Sequence, residues 1–128
     1  MVDNIYFFDS YAFIALVQND IAYEPYKECR MATASLNLIE IHYILLREHG
    51  PKIANAFYHA LLPTLLVFED SIPEANQMRL EMKKRSVSAA DCVGYIMALK
   101  NGIKFLTGDK EFKDVPNVEF VKQTLPVA

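Results

Sequence analysis

Four carboxylates, Asp9, Glu40, Asp91 and Asp109, are scattered along the chain, yet each stands where a structural element begins or ends. Asp9 follows Ile5–Phe8, an all-apolar run too short for a helix and typical of a strand buried on both faces. Glu40 comes three residues after Asn37, which opens a long amphipathic stretch, and Asp91 comes three residues after Ser88, a good N-cap. Asp109 follows the β-favouring stretch 103–107 across Gly108. If the strands run parallel, all four acids project at the sheet edge where ligands collect in open α/β folds. Two carboxylates about 4 Å apart repel by roughly 4 kcal/mol at an effective dielectric of about 20, so a cluster of four requires a cation or shared protons. Oxygen-only ligands with no histidine in the pattern favour Mg2+ or Mn2+ over zinc.

Taken singly, each acid also has an ordinary explanation. Asp9 or Ser10 caps the helix that starts beside it, Glu40 closes a capping box with Asn37, Asp91 closes one with Ser88, and Asp109 is a turn residue after glycine. Their joint placement makes the case for a site.

The elements that must position them follow from periodicity and punctuation. Strands are expected at Ile5–Phe8, 31–35, 64–69, 103–107 and, at the sheet edge, 117–121. Helices are expected at 11–18, 21–28 (limited by Pro25), 37–48, 52–62, 73–84 (with Pro73 at the first position) and from Ser88 to the stop at Asn101-Gly102. The tail after Lys122 is expected to be loose. Strands alternating with helices over short connections predict an α/β fold with a mostly parallel central sheet of about five strands, covered on both faces.

Composition bounds the function. A chain of 128 residues, 52% hydrophobic, fits one domain over 1–128 with a core that needs no staple. Cys29 and Cys92 lack metal-ligand spacing, and nothing at the N-terminus resembles a signal peptide, so a reducing, cytoplasmic setting is expected. No apolar run approaches the roughly 20 residues of a membrane span. With a net charge of −3, nucleic-acid binding must come from a local basic patch or from metal ions.

The blocks FFDSYAFIAL, NLIEI and SAADCVGYIMALKNGIKFLTGDKEF resemble, in order and spacing over nearly the whole chain, the motifs of PIN-domain ribonucleases, in particular the VapC-type toxins of toxin–antitoxin pairs. The last block is the most specific, with Ser88, Asp91, Ala98, Gly102, Thr107, Asp109 and Phe112 in register. The resemblance implies a three-layer α/β/α PIN-like fold. It makes Asp9, Glu40, Asp91 and Asp109 the catalytic, metal-binding quartet for Mg2+ or Mn2+, with the hydroxyls of Ser10 and Thr107 in support. The implied activity is metal-dependent endoribonucleolytic hydrolysis, on single-stranded or looped RNA that can bend into a cleft. A toxin implies an antitoxin partner that occludes the acidic cleft. Gly108 departs from the pattern, standing where relatives often carry arginine, and Cys92 stands where alanine is common; these bear on substrate grip rather than on the carboxylates.

Three other readings are weighed against a toxin: an RNA-processing PIN nuclease, a signalling receiver domain with Asp70 as phosphoacceptor, and an inactive PIN-like binding module. The receiver family's paired acids after the first strand and its late Lys-Pro are missing. Lys83-Lys84-Arg85 reads as a solvated helix end that could also steer phosphates. His42, His49 and His59 have no partner spacing, and Cys92 has no companion histidine, so all are read as packing or surface residues. Glu69 and Asp70 read as turn acids, and Asp114 as a minor candidate for the metal site. Aromatic residues make up 12% of the chain, and helical stretches such as 39–46 carry more apolar surface than one small core hides, which predicts a homodimer.

Overall fold

Phe7 and Phe8 point to opposite faces of strand β1 (Ile5–Phe8), and each seeds a separate apolar cluster. The computed structural model of the protein describes residues 4–82 and 86–126; Lys83, Lys84 and Arg85 lie outside them. After β1 come α1 (Ser10–Val17), β2 (Arg30–Ala32), α2 (Ser35–His49), α3 (Pro51–Leu61), α4 (Ile72–Glu81), α5 (Ala89–Lys100), β3 (Lys104–Thr107) and β4 (Val118–Phe120). Short 3-10 turns cover Ile21–Tyr26, Leu62–Thr64, Glu69–Ser71 and Lys110–Phe112.

The sheet order is β2-β1-β3-β4, every pair parallel, with Phe7 opposite both Ala32 and Phe105, and Phe8 opposite Leu106. The alternation continues in β3: Phe105 joins Phe7 on one face, Leu106 joins Phe8 on the other. One face is covered by α1, α2 and α3 through Ile14, Leu38, Ile41, Leu45 and Leu61. The other is covered by α4 and α5 through Ala75, Cys92, Val93, Met97 and Ala98. The two clusters are the interfaces between the sheet and its two helical layers in a three-layer α/β/α arrangement, and each fully buried Phe or Leu side chain contributes about 1.5–3 kcal/mol to holding it.

Punctuation explains the turns. Gly50 ends α2 at φ +84°, a conformation open to glycine, and Pro51 starts α3 directly after it. At Gly94 a Cβ would lie 2.8 Å from Phe7 Cε1, so the missing side chain lets α5 lie close on the sheet.

Three expectations are corrected. The segment 64–69 is not a fifth strand: Leu65 makes a lone parallel bridge to Thr33, and 3-10 turns bound the segment. Pro63 sits in the first of these turns, and Val67 is 77% exposed, so no second face is buried that would extend the pairing. Asn37 does not open α2; the helix begins at Ser35 after Ala34, which puts Glu40 beyond the reach of a capping box. The tail after Lys122 is clasped rather than loose. Asp20, capping the turn Ile21–Tyr26, accepts bonds from Thr124 N at 2.8 Å, Thr124 Oγ1 at 2.6 Å and Leu125 N at 3.0 Å.

Candidate metal centre

Asp9 is the most enclosed acid of the site, at 3% exposure. Its backbone N–H continues the sheet by donating to Leu106 O at 3.1 Å, which pins the residue at the ends of β1 and β3. Its Oδ1 accepts from Ala12 N at 2.7 Å and caps α1, so the ordinary reading of Asp9 holds as well. Oδ2 accepts from the hydroxyl of Thr107, at the end of β3. Thr107 Oγ1 in turn accepts from Asp109 N at 3.0 Å, and Asp109 Oδ1 accepts from Glu111 N at 2.9 Å, capping the turn Lys110–Phe112. Thr107 therefore links the first and last acids of the chain.

A second network orients Glu40. Ser10 Oγ donates to Glu40 Oε1 at 2.7 Å and accepts from Asn37 Nδ2 at 3.2 Å. Asn37, buried one turn before Glu40, holds the serine that holds the glutamate. Sequence reasoning saw it only as a cap; its signal was a polar residue three positions before an acid on an otherwise apolar face. Asp91 sits in the first turn of α5, where Ser88 Oγ accepts from its N–H at 3.0 Å.

Electrostatics couple the two networks and Asp91. Burial pushes the Asp9 carboxyl up to about 7, offset by the bonds from Thr107 and Ala12 and reinforced by the charges of Asp91 and Asp109. Burial likewise raises Asp91, reinforced by Asp109 and Glu40. Burial and the charges of Glu40, Asp91 and Asp9 raise the Tyr11 phenol. Asp91 and Asp109 thus act on Asp9, and Asp109 and Glu40 act on Asp91. Among the described residues, no basic side chain forms an ion pair with any of them. As the side chains stand, no three His, Cys, Asp or Glu residues among the described residues are grouped closely enough to hold one ion. The donor set itself, carboxylates with two hydroxyls, matches the oxygen preference of Mg2+ and Mn2+.

The remaining residues singled out from sequence lie elsewhere. His42 Nε2 is 2.8 Å from Asn55 Oδ1 and packs edge-on to Tyr58, and Cys92 is a core thiol. Asp70 lies exposed in the turn Glu69–Ser71 before α4, with its carbonyl accepting from Lys100 Nζ at 2.8 Å; Asp114 is exposed beyond the last turn.

The PIN domain family model matches residues 6–118. The chain belongs to the PIN domain family. That membership removes the receiver-domain reading. Among solved structures this PIN domain is similar to VapC20 of Mycobacterium tuberculosis, described as a sarcin–ricin loop cleaving toxin, at 21% identity and TM-score 0.71, over 92% of this chain and 99% of that one. It is similar to a toxin–antitoxin complex from Klebsiella pneumoniae at 17% identity and TM-score 0.72, over 89% and 95% of the two chains. It is also similar to VapBC2 of Rickettsia felis, solved with a promoter DNA fragment, at 18% identity and TM-score 0.63, over 91% and 98%. No curated protein matches the chain. No helix among the described residues is long and apolar enough to cross a membrane.

Proposed function

We propose that this PIN domain is a metal-dependent endoribonuclease and the toxin of a toxin–antitoxin pair, with Asp9, Glu40, Asp91 and Asp109 as its metal-binding acids. One observation carries the reading: carboxylates from distant parts of the chain converge, with Asp91 and Asp109 acting on buried Asp9 and Glu40 acting on Asp91, and among the described residues none has a basic partner. A divalent ion bound there would supply Lewis acidity toward a phosphoryl oxygen and a hydroxide-like nucleophile at neutral pH. Seating it calls for side-chain rotation, for which exposed Glu40 and partly exposed Asp91 and Asp109 have room. The chain's own contribution is orientation. Thr107 fixes Asp9, and Ser10 and Asn37 fix Glu40.

The toxin assignment is supported by the toxin and toxin–antitoxin neighbours, which also support a cognate antitoxin as partner. A homodimer through α2 and α3 is supported by exposed Ile39, Tyr58 and Leu62 around a cleft of about 590 Å3. A cytoplasmic setting is supported by Cys29 and Cys92, both free thiols.

The test is thermal unfolding with and without Mn2+ alongside cleavage of single-stranded RNA. Saturation at about 100 times Kd should stabilise the wild type by about 2.7 kcal/mol. Asp91→Asn should lose both the shift and the cleavage while keeping the metal-free melting temperature. A wild type that neither responds to Mn2+ nor cuts RNA would overturn the proposal.

A further inference from the structure

Glu40, Tyr43, Ile44 and Arg47 recur at spacings of three and four along α2 and so share one flank of that helix. With Tyr11 across from them on α1, they line a cleft of about 140 Å3. Tyr43 is 60% exposed and Tyr11 41% exposed, so two aromatic rings border the opening with little covering them. The Arg47 guanidinium carbon lies 5.7 Å from the centre of the Tyr43 ring, within cation–π range. Its charged partner is the neighbouring Glu48, through an Nε–Oε2 contact of 3.0 Å between exposed groups, an arrangement that water and a competing anion readily replace. The cleft adjoins the acids. Glu40 forms part of both, and Tyr11 directly follows Ser10, the residue bonded to Glu40.

We infer that this cleft is a nucleotide subsite, in which one unpaired base of the RNA strand stacks on Tyr43 and Tyr11 while Arg47 takes the adjoining phosphate. The inference rests on the ribonuclease reading and adds to it where the strand runs next to the scissile phosphate. Stacking tyrosines with an arginine are the means by which single strands are held in a sequence-tolerant way, since every base offers a π-face. An arginine here also supplies the local positive charge that a chain of net charge −3 needs beside its acidic centre.

The experiment combines photocrosslinking with steady-state kinetics in Mn2+ buffer. A short single-stranded RNA bearing 5-bromouridine is irradiated with the protein and adducts are mapped by mass spectrometry. They are expected on the peptides holding Tyr11 or Tyr43. Tyr43→Ala should raise KM by about 5- to 150-fold with a much smaller change in kcat, and Tyr43→Phe, which keeps the ring, should restore wild-type KM. Arg47→Ala should raise KM and lower the salt dependence of kcat/KM by about 0.7 in log–log slope. All three variants should melt with the wild type, since the side chains are exposed. If the protein cuts RNA but adducts fall elsewhere and Tyr43→Ala and Arg47→Ala keep the wild-type KM, the subsite is overturned and the ribonuclease stands. That outcome would assign the cleft's exposed rings to a protein partner instead. If the wild type cuts no RNA, the ribonuclease reading falls and the subsite falls with it.

Discussion

Gly94 sits where α5 crosses the sheet, and an added Cβ would meet Phe7 Cε1 at 2.8 Å and Phe105 Cε1 at 3.0 Å. Helix propensity favours alanine over glycine there by about 1 kcal/mol, whereas forcing a methyl between two fully buried rings costs about 1–3 kcal/mol. The clash wins, so Gly94→Ala should lower the urea midpoint without changing the slope of unfolding. Gly108 poses the same question at the site. A Cβ there would lie 2.9 Å from Val121 O and 3.0 Å from the Tyr23 hydroxyl, which themselves bond at 2.8 Å. Gly108→Arg should therefore destabilise the fold, by about 1–3 kcal/mol in urea unfolding, rather than supply a phosphate contact. Asp9, Asp91 and Asp109 stand beside strand-end, cap and turn signals in the sequence, whereas the cap signal that pointed to Glu40 was not real. Tyr11, Tyr43 and Arg47 were not singled out, and Asn37 was read only as a cap, since their roles depend on which flank of α2 faces α1, and that is set by packing.

At the scale of elements, the clasp between Asp20 and residues 124–125 ties the tail to the turn after α1. The Thr124 hydroxyl and the N–H groups of Leu125, Ala22 and Thr124 hold the Asp20 carboxyl down at about 2. A lowered pKa means the clasp contributes fully above about pH 4 and is lost as pH falls through about 2. Amide protection factors at Thr124 and Leu125, corrected for the intrinsic pH dependence of exchange, should fall across that window, and in Asp20→Asn they should show no such step. Gln123 Nε2 also reaches Tyr11 O at 3.2 Å, so the clasped tail runs beside the proposed subsite. Most elements were readable from apolar period and from Gly and Pro punctuation: β1, α3, α5 and β4 fall where the pattern puts them. Two were not. Residues 64–69 carry strand-like residues but pair only at Leu65, because pairing needs a neighbour and a second buried face. The clasp joins residues 104 and 105 positions apart, beyond any local signal.

On the whole-molecule scale, α2 itself exposes apolar residues on two flanks. Ile39 faces the cleft shared with α3, while Tyr43 faces the one shared with α1. If α2 and α3 form the homodimer contact, Ile39→Glu combined with Leu62→Glu should give a monomer by sedimentation at micromolar concentration, with the melting temperature of the free protomer retained. Cleavage per protomer should survive, because the acids lie on the other flank. The parallel sheet was predictable from alternating strands and helices, whereas its order β2-β1-β3-β4 was not, since one sequence carries no record of which strands are neighbours.

That order has a consequence for synthesis on the ribosome. The central strand β1 emerges early, but its neighbour β3 is among the last segments translated, and the bond from Thr107 to Asp9 spans 98 residues. A nascent chain that has not yet released β3 lacks Asp109, lacks the hydroxyl that fixes Asp9, and cannot assemble the pocket. If the proposed function holds, cleavage should be undetectable in chains truncated before β3 and should begin only with nearly finished molecules.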